Sequence, residues 1–333
     1  MTIHPLCAPR FQRPALFLAI MMLAGILALG SSAQLHAHSH TNLVSFEQMM
    51  DMFGIDFEGT PITTEKVADG LHVLFGVGGN IAVSTGADGT LIVDDQFPQM
   101  MPSIREALRK LGSERVDFVI NTHWHFDHAD GNLTLGEEGV WIVSQANSRE
   151  MMRSDHIINF GPMAVEQKAY PQPALSDITF DDTMQFHING ETVELVHHGA
   201  AHTSGDAAVI FRGSNAVHFG DVFNNAGYPF IDADNGGDIR GMIAFCQAVH
   251  DVIDADTRVI PGHGPITDRA TLARYIEVLS VIRDRVQALM DAGNDLDAIV
   301  AANPTAEFDA EMKGAEDTVP GFLSRVYASL ARE

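Results

Sequence analysis

The sequence predicts an α/β layered domain built on mixed β-sheets. Three observations predict it. Short apolar runs are parted by glycine-rich turns, segments of helical periodicity are interleaved between them, and the composition can bury a sizeable core. Hydrophobic residues make up 46% of the chain and charged residues 19%, which excludes global disorder. The 333 residues suffice for one large domain or two modest ones. No fixed-period repeat and no linker divides them.

Residues 1–14 carry Arg10 and Arg13 and no acid, and 15–30 are all apolar or small. Ser31-Ser32-Ala33 follows, with small residues before a cut after Ala33. This is the layout of a secretory signal peptide over 1–33, with an uncleaved anchor as the alternative. The apolar run is short for a membrane span, which needs about 20 residues. The expected location is periplasmic or secreted, with no stable membrane insertion after cleavage. Removal of the leader leaves 18 basic and 44 acidic residues and takes away Cys7. Cys246 then stands alone in the apolar stretch 242–249, where it reads as a small core residue.

Residues 34–64 read as an N-terminal extension. His36, His38 and His40 fit a solvated tail better than a metal site, because nothing fixes their geometry. The Met- and Phe-rich stretch 45–57 fits core packing or a lid, and packing is favoured. The domain proper spans 65–333 and includes C-terminal helices. Strands are expected at 71–75, 80–85 and 90–94, the last two joined by an Asp88-Gly89 hairpin. A helix over 102–111 stops at Gly112. Strands follow at 116–120 and 140–144. Residues 159–177, with three of the 14 prolines, read as a loop or lid. Strands resume at 184–188, 192–196, 207–211, 216–219 and 258–260, and helices are expected at 238–253 and 271–292.

The charge balance limits the function. Lys and Arg total 20 against 44 Asp and Glu, a net charge of −24, which disfavours a general nucleic-acid binder. Two Cys exclude a disulfide scaffold or a Cys-rich zinc finger, whereas 16 His point to imidazole and carboxylate as metal ligands.

The decisive stretch is Asn121-Thr122-His123-Trp124-His125-Phe126-Asp127-His128. In an extended segment i and i+2 point the same way, so His123 and His125 can share one metal. Asp127 and His128 diverge unless the chain bends, and a bend turns them towards a second metal. Three later polar segments also begin where apolar strands end: His202 in 201–205, Asp221 after 216–219, and His263 in Pro261-Gly262-His263-Gly264. Aligned strands would bring all four segments to one edge. Five His and two Asp without Cys supply three protein ligands to each of two metals and one bridging carboxylate. This set suits Zn²⁺, with Fe or Mn as alternatives, and leaves the open position of a catalytic site.

With these motifs in this order, residues 65–290 resemble the metallo-β-lactamase superfamily. The resemblance implies an αββα sandwich of two mixed β-sheets flanked by helices. It implies that His123, His125 and His202 hold the first metal. It further implies that Asp127, His128 and His263 hold the second and that Asp221 bridges them. Two departures separate the chain from the Cys-containing lactamases: Asp221 stands at their Cys ligand, and Asn224 at the Lys that grips the substrate carboxylate. These departures argue against efficient β-lactam hydrolysis and leave room for weak or moderate activity.

The function expected is a zinc-dependent hydrolase acting on a small molecule, a cyclic amide, lactone or ester, through a metal-bridged hydroxide. Asp127 is expected to orient the nucleophile besides binding metal. The alternatives are a mononuclear iron sulfur dioxygenase, a thioesterase of the glyoxalase II type, and a non-catalytic metal-binding protein. Asn224, Asn225 and Tyr228 are candidates for substrate hydrogen bonds or for plain turn residues. His197, His198, His218 and His250 are expected to be structural.

Overall fold

The computed structural model describes residues 42–332. The expected leader and the His36, His38 and His40 tail lie outside the described residues. Alternating apolar residues build two main sheets. The first has seven strands in the order Ile178–Phe180, Trp141–Gln145, Phe118–Ile120, Gly89–Val93, Ile81–Gly86, Leu71–Phe75 and Thr63–Ala68. From Thr63–Ala68 to Gly89–Val93 the pairing is antiparallel, and from there to Ile178–Phe180 it is parallel. The second sheet has six strands, Thr183–Ile188, Glu191–Val196, Ala208–Phe211, Ala216–His218, Arg258–Ile260 and Thr267–Asp268. It is antiparallel except between Ala216–His218 and Arg258–Ile260. The expected hairpin is present, with Gly86 opposite Gly89.

Side-chain alternation sets the layers. Leu71, Val73, Leu91, Val93 and Ile120 face Val193, Leu195, Val209, Phe211 and Ile260 across the sandwich. Their neighbours point outwards. Leu74, Ile81, Val83, Ile92 and Val119 pack under Ile104 and Leu108 of helix Met101–Lys110. Ala208, Ile210, Val217 and Val259 pack under helices Ile239–His250, Arg269–Asp291 and Val319–Leu330. The chain thus forms the expected αββα sandwich. Asp238 and Asp268 start the two long helices by accepting hydrogen bonds from the first-turn amides. Cys246 is fully buried in the outer core, and burial pushes its thiol pKa up.

Residues 159–177 are not a loop throughout. Strand Met163–Gln167 pairs with His156–Asn159 and, on its other side, with Asn42–Val44 in a small third sheet. The prolines at 162, 171 and 173 flank this strand and do not interrupt it. A five-residue strand paired with a segment more than a hundred residues away leaves no periodicity long enough to recognise. The stretch 45–57 contains helix Phe46–Met52, whose Met49 and Met50 are buried among Phe97 and Phe126.

Parallel strands send their carboxyl ends to one edge, where α/β proteins place their sites. Here that edge receives the loops after Gly89–Val93, Phe118–Ile120, Ala216–His218 and Arg258–Ile260.

Candidate metal centre

The first cluster is shaped by a change of backbone geometry within three residues. The segment is not extended throughout as expected: the chain bends over 122–124, is extended at His125, with φ −64° and ψ 147°, and then enters the short helix Phe126–Ala129. His123 and His125 therefore precede the helix, and Asp127 and His128 lie on it. Thr122 anchors the loop through its N–H and hydroxyl, which donate to Asp94 at 2.7 and 2.8 Å.

All seven expected residues meet. The ligand atoms of His123, His125 and His202 lie within 4.8 Å of one another, as do those of Asp127, His128 and His263, and of His123, His128 and Asp221. His202 Nε2 is 2.9 Å from His125 Nδ1. His263 Nε2 lies 3.1 Å from Asp127 Oδ2 and 3.2 Å from His128 Nε2. Asp221 spans the two groups: Oδ1 is 3.1 Å from His128 Nε2, and Oδ2 is 3.8 Å from His202 Nε2.

The outward nitrogens are held by the protein. His125 Nε2 contacts Asp232 at 2.9 Å, His128 Nδ1 contacts Asp94 at 2.7 Å, His202 Nδ1 donates to the Phe230 carbonyl at 2.8 Å, and His123 Nδ1 meets the Thr122 hydroxyl at 3.0 Å. Such partners fix the ring and its tautomer, and leave the inward nitrogen as a lone pair. His123 Nε2 is buried with no hydrogen-bond partner. Buried polar atoms without partners are costly. Converging imidazole and carboxylate donors of this kind fit a divalent cation.

The electrostatics divide the centre. Burial, then the neighbouring His128, His202 and His125, hold His123 well below the ordinary histidine pKa. Burial likewise lowers His202. His128 and His263 behave oppositely. Burial opposes their protonation, but Asp221 and Asp127 outweigh it and raise His128 well above the ordinary value and His263 to about 9. His123 and His202 thus favour the neutral imidazole, whereas His128 and His263 are matched to carboxylates.

Several residues of the site escaped sequence reading. Asp94 follows strand Gly89–Val93 as the four expected segments follow theirs, but in the sequence it reads as the end of the strand expected at 90–94. It adopts φ 63°, an unusual conformation for a residue with a side chain. Asn80 stitches the edges of the two sheets together. Its N–H donates to Gly262 O at 2.7 Å, and its amide donates to Pro261 O and Gly264 O at 2.8 and 2.9 Å. A Cβ on Gly79 would fall on the His128 ring, and one on Gly262 would fall on Asp221. The run Gly76-Val77-Gly78-Gly79 was the available signal, since consecutive glycines mark a close approach. Asp232 lay in a polar stretch with nothing to single it out.

Asp94→Ala is expected to weaken metal binding by about 10- to 100-fold, because His128 loses its orienting partner. Competition against a chromogenic chelator measures this, and an unchanged affinity would show that Asp94 does not position the ring.

Asn224, Asn225 and Tyr228 are committed to local structure. Asn224 accepts from Ala226 N at 2.8 Å, Asn225 donates to Pro265 O at 2.8 Å, and the Tyr228 hydroxyl donates to Asp309 at 2.9 Å. His197 and His218 hold backbone carbonyls of Asp206 and Asn80, His198 packs edge-on to Phe245, and His250 lies beside Asp251 and Arg269.

A cavity of about 260 Å³ opens above the centre, floored by His125, Asp127, Asp221 and His263. Its walls are mostly apolar and include Met50, Phe53, Ile158, Phe322 and the neighbouring rings of Phe160 and Phe230, 4.8 Å apart.

A sequence model of the Metallo-beta-lactamase superfamily matches residues 75–271. A "Beta-lactamase-like protein 2 homolog" of Caenorhabditis elegans is 24% identical over 204 residues, which are 59% of this chain and 59% of that protein. The chain thus spans about three-fifths of the nematode relative's length. A "Probable metallo-hydrolase" of Methanocaldococcus jannaschii is 22% identical over 194 residues, 57% of this chain and 85% of that protein. Among solved structures, the DIM-1 metallo-beta-lactamase aligns with TM-score 0.53 at 18% identity over 66% of this chain and 97% of its own. The inverting sec-alkylsulfatase Pisa1 from Pseudomonas sp. aligns with TM-score 0.57 at 13% identity over 80% of this chain and 50% of its own. At these identities the structures speak for the fold alone.

Proposed function

The chain belongs to the metallo-β-lactamase superfamily, and on that premise we propose that it is a zinc-dependent hydrolase of small cyclic amides, lactones or esters, working outside the cytoplasm. One observation carries the proposal: seven His and Asp side chains converge, four of them on the floor of a largely apolar cavity, with a buried imidazole nitrogen left without a partner. His123, His125 and His202 would hold one cation, Asp127, His128 and His263 the other, and Asp221 would reach both. When bound, such a pair supplies Lewis acidity to the scissile carbonyl and lowers the pKa of a coordinated water. Asp127 Oδ2 accepts a hydrogen bond from the attacking water and so orients it. Asp94 and Asp232 keep His128 and His125 in register as charge develops. The apolar walls exclude bulk water and strengthen these interactions. Cleavage adds water across the acyl bond, giving an acid and an amine or alcohol.

The test is a panel of chromogenic lactams, lactones and esters offered to zinc-loaded protein, with metal stoichiometry measured alongside. Two zinc ions per chain with turnover of at least one class is the expected result. One iron per chain with oxygen uptake would replace this reading with the sulfur dioxygenase, and no turnover across the panel would defeat it.

A further inference from the structure

In a chain with 44 acidic residues, four lysines have ample choice of partners. Lys66, Lys110 and Lys168 each stand within hydrogen-bond distance of a carboxylate, at 2.6, 2.7 and 2.9 Å. Lys313 pairs with none among the described residues, and it lines the cavity over the metal centre. Among the described residues, and apart from the imidazoles of the centre, it is the sole basic side chain there.

Its backbone deepens the anomaly. Met312 N donates to Phe308 O, Gly314 N donates to Asp309 O, and Lys313 between them adopts φ 50°. This pattern closes a helical turn with a left-handed residue, a place where glycine is strongly favoured. A lysine is kept in a conformation that opposes side chains, and observed strain of this kind is grounds for a functional hypothesis. The segment that carries it is rigidly held. Arg274 and Arg285 pair with Glu311 and Glu307 at 2.9 and 2.6 Å, and Phe308 and Met312 enter the core. The Tyr228 hydroxyl holds Asp309, while the Tyr228 ring stacks on Phe322 at 4.5 Å in the cavity wall. The exposed Lys313 is therefore carried on a held segment at a cavity whose other lining above the floor is apolar or uncharged.

Resting on the hydrolase reading, we propose that Lys313 is a specificity-determining residue that receives a substrate carboxylate. The preferred substrates then combine an acyl bond at the centre, an apolar body against Phe160 and Phe230, and a carboxylate at Lys313. A compact ammonium group suits a single negative charge of this kind.

The experiment uses the full zinc-loaded chain and two variants, Lys313→Met and Lys313→Gly. Calorimetry compares binding of 4-phenylbutyrate with its neutral amide. Both variants are expected to bind the carboxylate about fivefold more weakly, with the amide unaffected. Because glycine suits the left-handed backbone, Lys313→Gly should melt no lower than the parent chain, which separates loss of the anion site from loss of the fold. Turnover of a p-nitrophenyl ester with a distal carboxylate should show the same change in KM, with its methyl-capped counterpart unchanged. Equal carboxylate binding in the parent chain and both variants would overturn the assignment. Absence of ester turnover by the parent chain, with the binding difference intact, would instead sink the hydrolase reading and leave Lys313 as an anion site.

Discussion

Asp221→Ala is expected to reduce bound zinc from two per chain to one or fewer and to lower turnover by about a thousandfold. The reasoning begins with position. Asp221 is the one carboxylate whose two oxygens face both groups of imidazoles, Oδ1 towards His128 and His263 and Oδ2 towards His202. Burial opposes its ionisation, yet His263 and His128 hold its pKa well below the usual carboxylate range. Without it the two imidazoles of the second trio keep Asp127 and, on the outward nitrogen of His128, Asp94. The surroundings are built to admit this side chain, since Gly262 passes where any Cβ would meet Asp221. Asp221→Asn separates charge from shape: it should fold as the parent chain does and still lose metal. Unchanged zinc content and turnover in the alanine variant would remove Asp221 from the centre.

What could be read in the sequence follows from how locally each feature is specified. His123, His125, Asp127 and His128 lie within six residues, so their alternation and bend were legible together. His202, Asp221 and His263 became legible because each follows an apolar strand. Asp94 obeys the same rule and was missed, because a carboxylate at the end of an apolar run reads as the last residue of the strand. Asp232 makes one specific contact, to His125, across 107 positions, and no local pattern encodes such a pairing. The small third sheet was invisible for a similar reason: Met163–Gln167 finds its parallel partner at Asn42–Val44. The two long helices were legible from periodicity, and their starts at Asp238 and Asp268 are set by side-chain caps. Lys313 carried no sequence signal. Its interest arises from a backbone angle and from an absent partner, which only the folded chain displays.

Removal of metal is expected to lower the melting temperature by about 10 °C. A cation present at a thousandfold excess over its Kd contributes about 4 kcal/mol to the folded state, and a domain of this size shifts by about 2–4 °C per kcal/mol. The loss should not be spread evenly. The second trio retains attraction without a cation, because His263 and His128 face Asp127 and Asp221. The first trio has less of it, since Asp232 meets only the outward nitrogen of His125 and Asp221 stands 3.8 Å from His202 Nε2. His123 and His202 are biased towards the neutral form, and His202 Nε2 and His125 Nδ1 are left facing each other at 2.9 Å. The chelated protein should therefore loosen first in the loops that carry His123, His125 and His202, and last around 261–264. Hydrogen exchange before and after chelation reads this difference directly, with zinc restoring the protected state. A melting temperature unmoved by complete metal removal would mean that these buried nitrogens find other partners. Loosening confined to 261–264 would reverse the assignment of which half depends on the cation.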